Sequence, residues 1–342
     1  MRIGRRITAA GAAIALACGL GLAGCSSEEG DTAAATGVES TVEVEEGAFP
    51  VTIEHAYGET TIEEAPQRVV AYGENDIDPL LALGVTPVFV KEWNTPEPTG
   101  WQLEAARGEL PEFYDGEEID PEDVAAVDPD LIVAMYSGMT REQYEQLSEI
   151  APVVPFREGY ADWQQPWDIT AEMIGEAIGR PQAARDLIDD IEGRFTAIRG
   201  RHPNWEGKTT ALAIAREDLI NAYSPDDPRS RFFAKLGMVV PEKIAELAEG
   251  GHVSAFSLEQ ANVLELDVVF WGQEGCTTGP GGSLATDPIL GRLDVVKEGR
   301  SVCVDEFFDD PELGMAFQWQ TVLSLDHVLD EIEPMLVEEL GD

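Results

Sequence analysis

"RVVAYGENDIDPLLALGVTPVFV", residues 68–90, holds two apolar runs separated by a segment with helical character. The first run, RVVAYG (68–73), is short and rich in apolar residues, which is typical of a buried strand. DIDPLLALG (76–84) predicts a short helix that ends at Gly84, and VTPVFV (85–90) predicts the next strand. Because consecutive parallel strands need such a crossover, this order predicts a parallel sheet and an α/β fold.

The same strand–helix order continues along the chain. DLIVAMY (130–136) and APVVPF (151–156) have strand character, and TREQYEQLSEI (140–150) between them has helical character. Upstream, FPVTIEHAYGETTIEEAP (49–66) alternates in polarity and predicts a hairpin that turns near Gly58. Together these elements predict an N-terminal αβ lobe.

The middle of the chain, about residues 162–203, is predicted to be helical. Gly179 and Pro181 divide it, since glycine favours the end of a helix and proline its first turn. After Pro181, apolar residues recur at the spacing of one buried stripe: Ala184, Leu187, Ile188, Ile191, Phe195 and Ile198. A helix of about 20 residues reaches about 30 Å, a length that suits a rigid connector between two lobes.

A second αβ series predicts a C-terminal lobe. Its predicted strands are 209–215, 219–223, 267–272 and 301–306, its predicted helices are 230–237 and 257–265, and a long amphipathic helix at about 318–340 ends the chain. Strands that alternate with helices imply parallel sheets covered on both faces. We therefore expect two Rossmann-like αβ lobes, residues 49–161 and 204–342, joined by the long helix of region 162–203.

The first 25 residues are organised like an export signal. Three arginines precede an uncharged apolar run (7–24), and LAGC (22–25) resembles the lipobox of bacterial lipoproteins. The resemblance implies removal of residues 1–24 and acylation of Cys25, and two acyl chains give stable membrane anchoring. A single transmembrane anchor is the alternative, although the run barely reaches the length needed to span a bilayer. Residues 25–48, poor in large apolar side chains, predict a disordered tether.

The net charge and the absence of catalytic motifs exclude several classes of function. The chain has 66 acidic and 22 basic residues, a formal net charge of −44, so nucleic-acid binding is not expected. It contains no nucleophile elbow, phosphate loop or metalloprotease helix. Its four histidines are scattered singly, which gives no spacing typical of a metal site. We expect neither an enzyme nor a protein with a bound cofactor.

Cysteine usage predicts one disulfide. Cys18 lies in the predicted signal and Cys25 in the lipobox, which leaves Cys276 and Cys303. Exported proteins tend to oxidise such pairs, so we expect a Cys276–Cys303 disulfide; two free buried thiols are the alternative.

Aromatic and basic side chains near predicted strand ends are candidates for binding a ligand. Parallel strands present their carboxyl ends at one edge of the sheet, where open α/β folds bind ligands. The candidates near strand ends are Tyr72, Trp93, Tyr136, Arg157, Arg216 and Trp271, and Trp163 at the connecting helix is a further candidate. Each of the aromatic residues alone is equally compatible with core packing, whereas several together would form a site for a sugar, a siderophore or a macrocycle.

The chain resembles the substrate-binding lipoproteins of iron-siderophore ABC importers, the helix-hinged (class III) periplasmic binding proteins. The resemblance runs from about residue 51 to 340. It rests on residues 61–90, EDVAAVDPDLIVAMYSGMTREQYEQLSEIAPVV (122–154), WDITAEMIGEAIGRPQAARDLI (167–188), FSLEQANVLELDVVFW (256–271) and SLDHVLDEIEPML (324–336). It implies capture of a ferric siderophore in a shallow cleft, without direct ligation of the metal by the protein.

The resemblance also implies a partner. In this family one glutamate on each lobe docks on arginines of the membrane permease, and the matching motifs place these at Glu122 and Glu259. Exposed carboxylates suit charge-assisted bonds to arginine, although each is also one of many solvated acids in this chain. The implied protein is a monomer, lipid-anchored at the extracytoplasmic face of the cell membrane.

The charge balance favours one class of ligand. A chain so poor in basic residues repels anionic iron complexes, which favours a neutral or cationic hydroxamate such as a ferrioxamine. A local patch of Arg157 and Arg216 would reverse this preference. Haem or cobalamin capture within the same family is the alternative; a siderophore esterase or a signalling lipoprotein is more remote.

Overall fold

A computed structural model of the protein describes residues 43–93, 97–116, 120–160, 164–248, 251–308 and 310–341. The strands are β1 (Val51–His55), β2 (Gly58–Ile62), β3 (Val69–Ala71), β4 (Phe89–Val90), β5 (Leu131–Ala134), β6 (Val153–Pro155), β7 (Thr210–Arg216), β8 (Leu219–Tyr223), β9 (Val253–Ser257), β10 (Val268–Trp271) and β11 (Ser301–Cys303).

Helices connect the strands and cover the sheets. They are α1 (Ile77–Ala82), α2 (Gly100–Ala105), α3 (Pro121–Ala126), α4 (Arg141–Ser148), α5 (Trp167–Ala177), α6 (Pro181–Arg201), α7 (Pro228–Lys235), α8 (Glu242–Ala248), α9 (Ser283–Thr286), α10 (Asp294–Lys297), α11 (Val304–Phe307), α12 (Pro311–Trp319) and α13 (Val322–Leu340). Three short 3₁₀ helices span Pro203–Trp205, Leu258–Leu264 and Leu290–Arg292.

The strands form three sheets. β1 and β2 make an antiparallel hairpin, and four parallel strands follow in the order β4-β3-β5-β6. A five-stranded sheet has the order β11-β10-β7-β8-β9, in which β11, β10 and β7 are parallel and β8 is antiparallel to both β7 and β9. The predicted α/β class is confirmed, and β8 and β9 add an antiparallel edge to the second sheet.

Each of the two larger sheets is buried on both faces. Val69 and Ala71 of β3 point into one apolar cluster while Val70 between them points into another. In the second sheet, the neighbouring residues Leu212 and Ala213 likewise belong to two different apolar clusters, one on each face. Since successive side chains of a strand alternate between faces, the uninterrupted apolar runs of the sequence reflect this two-sided burial.

The long helix α6 packs against both parts of the fold. Ala184 in its first turns belongs to the cluster under the first sheet, whereas Ile191, Phe195 and Ile198 belong to the cluster beside the second sheet. The predicted apolar stripe is therefore the buried face of this helix. Within the described residues, no helix is both long and apolar enough to cross a membrane.

Several predicted boundaries differ from the structure: the predicted strand 301–306, for example, ends at Cys303, where α11 begins. The predicted helix 318–340 is two helices, because Gln320 adopts a left-handed backbone with φ 50° between α12 and α13. The predicted tether 25–48 is wrong for residues 43–48, which contact the folded domain: Glu45 donates its backbone N–H to the carbonyl of Gly179, 2.9 Å away. The predicted cleavage and lipidation at Cys25 lie outside the described residues.

Cys276 and Cys303 are joined by a disulfide, with their Cα atoms 5.5 Å apart. Both side chains are buried beside the second sheet. The bond ties the end of β11 to the loop that follows β10.

Candidate functional site

A cavity of about 750 Å³ lies at the carboxyl ends of strands from both larger sheets. Loops after β3 and β5, the helix after β11, the first turn of α7 and one side of α12 form its wall. Residues from these elements that reach the cavity include Glu74, Tyr136, Arg229, Asp305, Phe308 and Trp319. Ligands of open α/β sheets bind at this edge, and a volume of about 300–1,000 Å³ is usual for a ligand pocket.

One wall of the cavity is apolar and held in place by packing. Phe308, Met315 and Trp319 contribute it. The ring of Trp319 packs edge-on against Trp101, with ring centroids 5.8 Å apart, and its backbone carbonyl accepts a hydrogen bond from Asn75 Nδ2 at 2.9 Å. This wall offers the ligand a large apolar contact surface with a mostly preset geometry.

Arg229 is the only arginine or lysine among the described residues that line this cavity, and its charge is already balanced. Its Nε and Nη2 each donate to a carboxylate oxygen of Asp227 at 2.7 Å. The guanidinium also lies 3.8 Å from the centroid of the Tyr223 ring. Burial lowers the pKa of Arg229, but the hydrogen bonds and charge of Asp227, together with Tyr223 and Tyr136, outweigh burial, and the pKa is raised. Since Asp227 is 1 % exposed, the pair is a fixed, neutral unit of the wall.

The loop after β3, which carries Glu74 and Asn75, is built around a buried carboxylate. Asp76 Oδ2 accepts the backbone N–H groups of Gly73 and Met135, at 3.0 and 2.9 Å. A Cβ on Gly73 would lie 2.4 Å from this oxygen, so the loop requires glycine there. Burial raises the pKa of Asp76 to about 6, against the opposing effect of the backbone N–H bonds. The carboxylate thus fixes the loop at the cavity wall.

A second buried carboxylate, Asp78, joins three segments beneath the cavity. It accepts hydrogen bonds from Trp101 Nε1 at 2.9 Å, Gln102 Nε2 at 2.7 Å and Thr321 Oγ1 at 2.5 Å. Burial raises its pKa to about 6, although the three donors act in the opposite direction. Thr321 also caps α13, so this contact ties the C-terminal helix to α1 and α2.

The predicted aromatic ligand-binding residues divide into three groups. Tyr136 lines the cavity. Trp163 lies outside the described residues. Tyr72 and Trp271 are 5 % and 0 % exposed and belong to core clusters, and Trp271 Nε1 donates to Ser301 Oγ at 3.2 Å. Their side chains point into the packed interior, so their predicted role in ligand contact is wrong.

The other predicted contacts lie apart from the described wall. Trp93 is half-buried, donates its Nε1–H to the Tyr72 carbonyl at 3.0 Å and packs under Lys91. Arg157 forms an ion pair with Glu172 at 3.1 Å. Arg216 is exposed at the β7–β8 turn, where it is paired across the strands with Leu219. None of these three is among the described residues that line the cavity, and their ligand roles stay predictions.

The two predicted docking glutamates are exposed at the starts of helical turns. Glu122 is in the first turn of α3, and its backbone N–H donates to Asp120 at 2.9 Å. Glu259 is in the first turn of the 3₁₀ helix Leu258–Leu264. Glu122 lies between β4 and β5 of the first sheet, and Glu259 comes directly after β9 of the second sheet. Each of the two larger sheets thus has one exposed glutamate beside it, which suits a docking role.

Sequence reasoning missed much of the wall. Asn75 and Arg229 both lie shortly after the end of a strand. The sequence signal that could have identified Arg229 is the Asp227–Pro228 pair directly before it, which is typical of a helix start and follows β8. Met315 and Trp319 lie on α12, most of which was not predicted, because the helix predicted there begins only at about residue 318. In the described part of the chain, no group of three or more His, Cys, Asp and Glu side chains is arranged to hold a metal ion.

A family model for periplasmic binding proteins matches residues 69–306 of the chain. The chain belongs to the periplasmic binding protein family. The match spans both larger sheets and α6, which lies between them in the sequence. It confirms the family and fold class predicted from the sequence, and it identifies a binding protein and not an enzyme.

Two of three similar proteins have iron-related names. The Fe(3+) dicitrate-binding periplasmic protein of Escherichia coli is 28% identical over 62% of this chain and 68% of its own length. A periplasmic solute binding protein from Mycobacterium smegmatis is 32% identical, with a TM-score of 0.70 over 85% of this chain and 99% of that one. Streptococcus pneumoniae PiaA in complex with ferrichrome is 26% identical, with a TM-score of 0.72 over 85% of this chain and 98% of that one.

Proposed function

We propose that this periplasmic binding protein captures a ferric siderophore outside the cytoplasm and delivers it to the permease of an ABC importer. The observation that carries the proposal is the cavity of about 750 Å³ between the strand ends of the two larger sheets, with its wall of Phe308, Met315 and Trp319. Relatives named for ferric citrate and ferrichrome binding support an iron complex as the ligand.

A neutral or cationic hydroxamate complex is the ligand class that the cavity charges favour. Arg229, the one arginine or lysine among the described lining residues, is neutralised by Asp227. Arg157 is paired with Glu172 and does not line the described cavity. The described lining residues therefore provide no unpaired arginine or lysine to attract a catecholate or citrate complex, and the net charge of −44 repels such anions.

Tryptophan fluorescence tests the ligand class, because Trp319 lines the cavity. The purified domain is titrated with iron-loaded ferrioxamine, ferrichrome, a tricatecholate and citrate, and with haem and cobalamin followed by absorbance. We expect saturable quenching at micromolar or lower concentration with the hydroxamates. Tight quenching by the anionic complexes alone would contradict the hydroxamate assignment, and a haem or cobalamin spectrum would replace the siderophore by a macrocycle.

Glu122 and Glu259 are the proposed contacts with the permease. Both are exposed, and a carboxylate on each sheet-bearing part suits two-point binding to arginines. A Glu122→Ala/Glu259→Ala variant should bind the iron complex normally and lose its uptake into cells. The matched control is Glu142→Ala/Glu246→Ala, which removes two other exposed helical acids. Equal uptake by both double variants would contradict the docking assignment.

The domain organisation and membrane anchor complete the proposal. Residues 1–24 act as a lipoprotein signal, Cys25 carries the lipid, and the segment up to about residue 42 links it to the folded part. Replacement of Cys25 by serine should release the protein from the membrane fraction while ligand binding persists. Membrane retention of that variant would point instead to a transmembrane anchor.

A further inference from the structure

A second, much smaller cavity of about 20 Å³ lies beside the ligand cavity of about 750 Å³. The two cavities share Asn75, Tyr136, Pro228 and Trp319 as lining residues. The loop after β3, the start of α5, the start of α7 and the junction between α12 and α13 enclose the small cavity. It therefore lies where segments from both halves of the chain meet, next to the apolar wall of the ligand cavity.

Two buried polar atoms at the small cavity have no hydrogen-bond partner among the described residues. They are Oδ1 of Asn75 and Nε1 of Trp167, and these residues are only 6 % and 8 % exposed. The orientation of the Asn75 amide is defined, because its Nδ2 donates to the Trp319 carbonyl at 2.9 Å. A buried donor or acceptor that lacks a partner has lost its bonds to solvent without compensation. Both atoms therefore require a partner, and the small cavity is a space that both residues line.

The lining of the small cavity excludes an ion as that partner. Its other polar side chains already have partners within the protein; they are Tyr136, Gln165, Thr170, Gln320 and Thr321. No Asp, Glu, His, Cys, Lys or Arg side chain is among the described residues that line it. An ion would find no opposite charge here, whereas a neutral molecule finds one free donor and one free acceptor.

We propose that the small cavity binds one water molecule, which accepts a hydrogen bond from Trp167 Nε1 and donates one to Asn75 Oδ1. An indole N–H only donates and an amide oxygen only accepts, whereas water does both. The volume of about 20 Å³ exceeds the roughly 10–15 Å³ that one water molecule requires. It is far below the volume of about 300 Å³ or more that is usual for a ligand pocket.

The water fixes the second end of the Asn75 amide. Through Nδ2 this amide bonds to the carbonyl of Trp319 in α12, and through Oδ1 and the water it bonds to Trp167 in α5. The loop after β3 is thereby joined to two helices that border the ligand cavity and the small cavity. Because a siderophore is too large for the small cavity, the water site does not depend on which ligand occupies its neighbour.

A high-resolution crystal structure of the protein tests the site directly. We expect an electron-density peak within about 2.7–3.2 Å of both Trp167 Nε1 and Asn75 Oδ1, the usual range for a hydrogen bond. A cavity without density, a peak bonded to only one of the two atoms, or a direct hydrogen bond between the two side chains would overturn the inference.

Nuclear magnetic resonance in solution tests the two residues. A long-lived buried water gives NOE and ROE cross-peaks of opposite sign with the indole N–H proton of Trp167, whose signal is assigned by its loss in Trp167→Phe. Asn75→Leu should abolish these cross-peaks, because the water loses its acceptor. The matched control is Gln318→Leu, which replaces an exposed amide that lines the ligand cavity and not the small one.

The control variant should keep the cross-peaks. Cross-peaks that persist in Asn75→Leu, or that disappear equally in Gln318→Leu, contradict the assigned role of Asn75. If Asn75→Leu does not fold, the density in the unmodified protein still decides. Failure of every iron complex to bind would overturn the proposed function and leave the water site unchanged, so the two conclusions fail separately.

Discussion

Asp78 is a carboxyl group closed off from solvent where α1, α2 and the start of α13 meet. Its three hydrogen bonds stabilise the ionised form, yet burial raises its pKa to about 6. The reference pKa of an aspartate is about 3.9, so between about pH 4 and 6 the folded protein binds a proton that the unfolded chain releases. The contribution of Asp78 to stability is therefore larger below this range and decreases as the pH rises through it.

Asp78→Asn should flatten the pH dependence of unfolding. A shift of two pKa units corresponds to about 3 kcal/mol of stability lost by the unmodified protein between pH 4 and 7. The variant lacks this titration, so its free energy of unfolding should change less over the same range. Urea unfolding at pH 4, 5, 6 and 7 measures the difference.

The control for this prediction is Glu331→Gln, which changes the net charge equally at an exposed position of α13. Its pH dependence should follow that of the unmodified protein. If both variants flatten the profile alike, general repulsion among the acidic residues explains it and Asp78 has no special part.

For single residues, the sequence predicted Tyr136 of the cavity wall correctly but not the other residues that line it. Tyr136 and Trp271 both follow apolar strand residues, but Tyr136 lies two residues beyond the end of β5, whereas Trp271 is the last residue of β10 and points into a core cluster. A sequence shows that a residue is near the end of a strand. It does not show the exact first and last residues of the strand, and these decide whether the side chain points into the core or towards the cavity. Arg229 and Met315 reach the cavity through helix positions that only the folded chain defines.

The start of α6 shows how an element is stabilised from outside itself. Glu45 accepts the backbone N–H groups of Gln182 and Ala183 at 2.9 Å, in the first turn of the helix. Arg180, the residue before the helix, provides no side-chain cap. The carboxylate of Glu45 therefore satisfies donors that a helix leaves unpaired and places a negative charge at its positive end.

Glu45→Ala should lower the free energy of unfolding by about 1 kcal/mol, the usual value for loss of a cap. Glu46→Ala is the matched control, since it removes the same charge from the exposed neighbouring residue. Thermal or urea unfolding of both variants at pH 7 measures the difference. Equal effects of the two substitutions would show that Glu45 acts through net charge alone.

The predicted elements are most reliable where apolar periodicity is long. The stripe of α6 gave an accurate helix, Pro181–Arg201, because proline and the 3-4 spacing coincide there. The break between α12 and α13 was not predicted, since it depends on a left-handed backbone at Gln320. Glutamine gives no local signal for that conformation, and buried contacts on both sides must stabilise it: Gln320 is 4 % exposed.

At the scale of the whole molecule, the apolar clusters join both larger sheets to shared helices. The cluster that holds Leu212 and Phe270 of the second sheet also contains Trp101 and Trp167, which come from helices of the N-terminal half. α13 contacts α1 and α2 as well as α6 and α12. The α/β class and the connecting helix followed from local periodicity, but these contacts between distant segments have no local signal.

Because one apolar cluster contains residues from both halves of the chain, we predict that the folded domain unfolds as one cooperative unit. Val124 and Val295 are both fully buried, the first in a cluster confined to the first sheet and the second in one confined to the second sheet. Replacement of either by alanine leaves a cavity and should cost about 2 kcal/mol. In a single unit, each variant lowers the hydrogen-exchange protection of the slowest amides in β5 and in β10 equally. A loss confined to the sheet that carries the substitution would instead show two independently unfolding lobes, and the shared cluster would then be too weak to couple them.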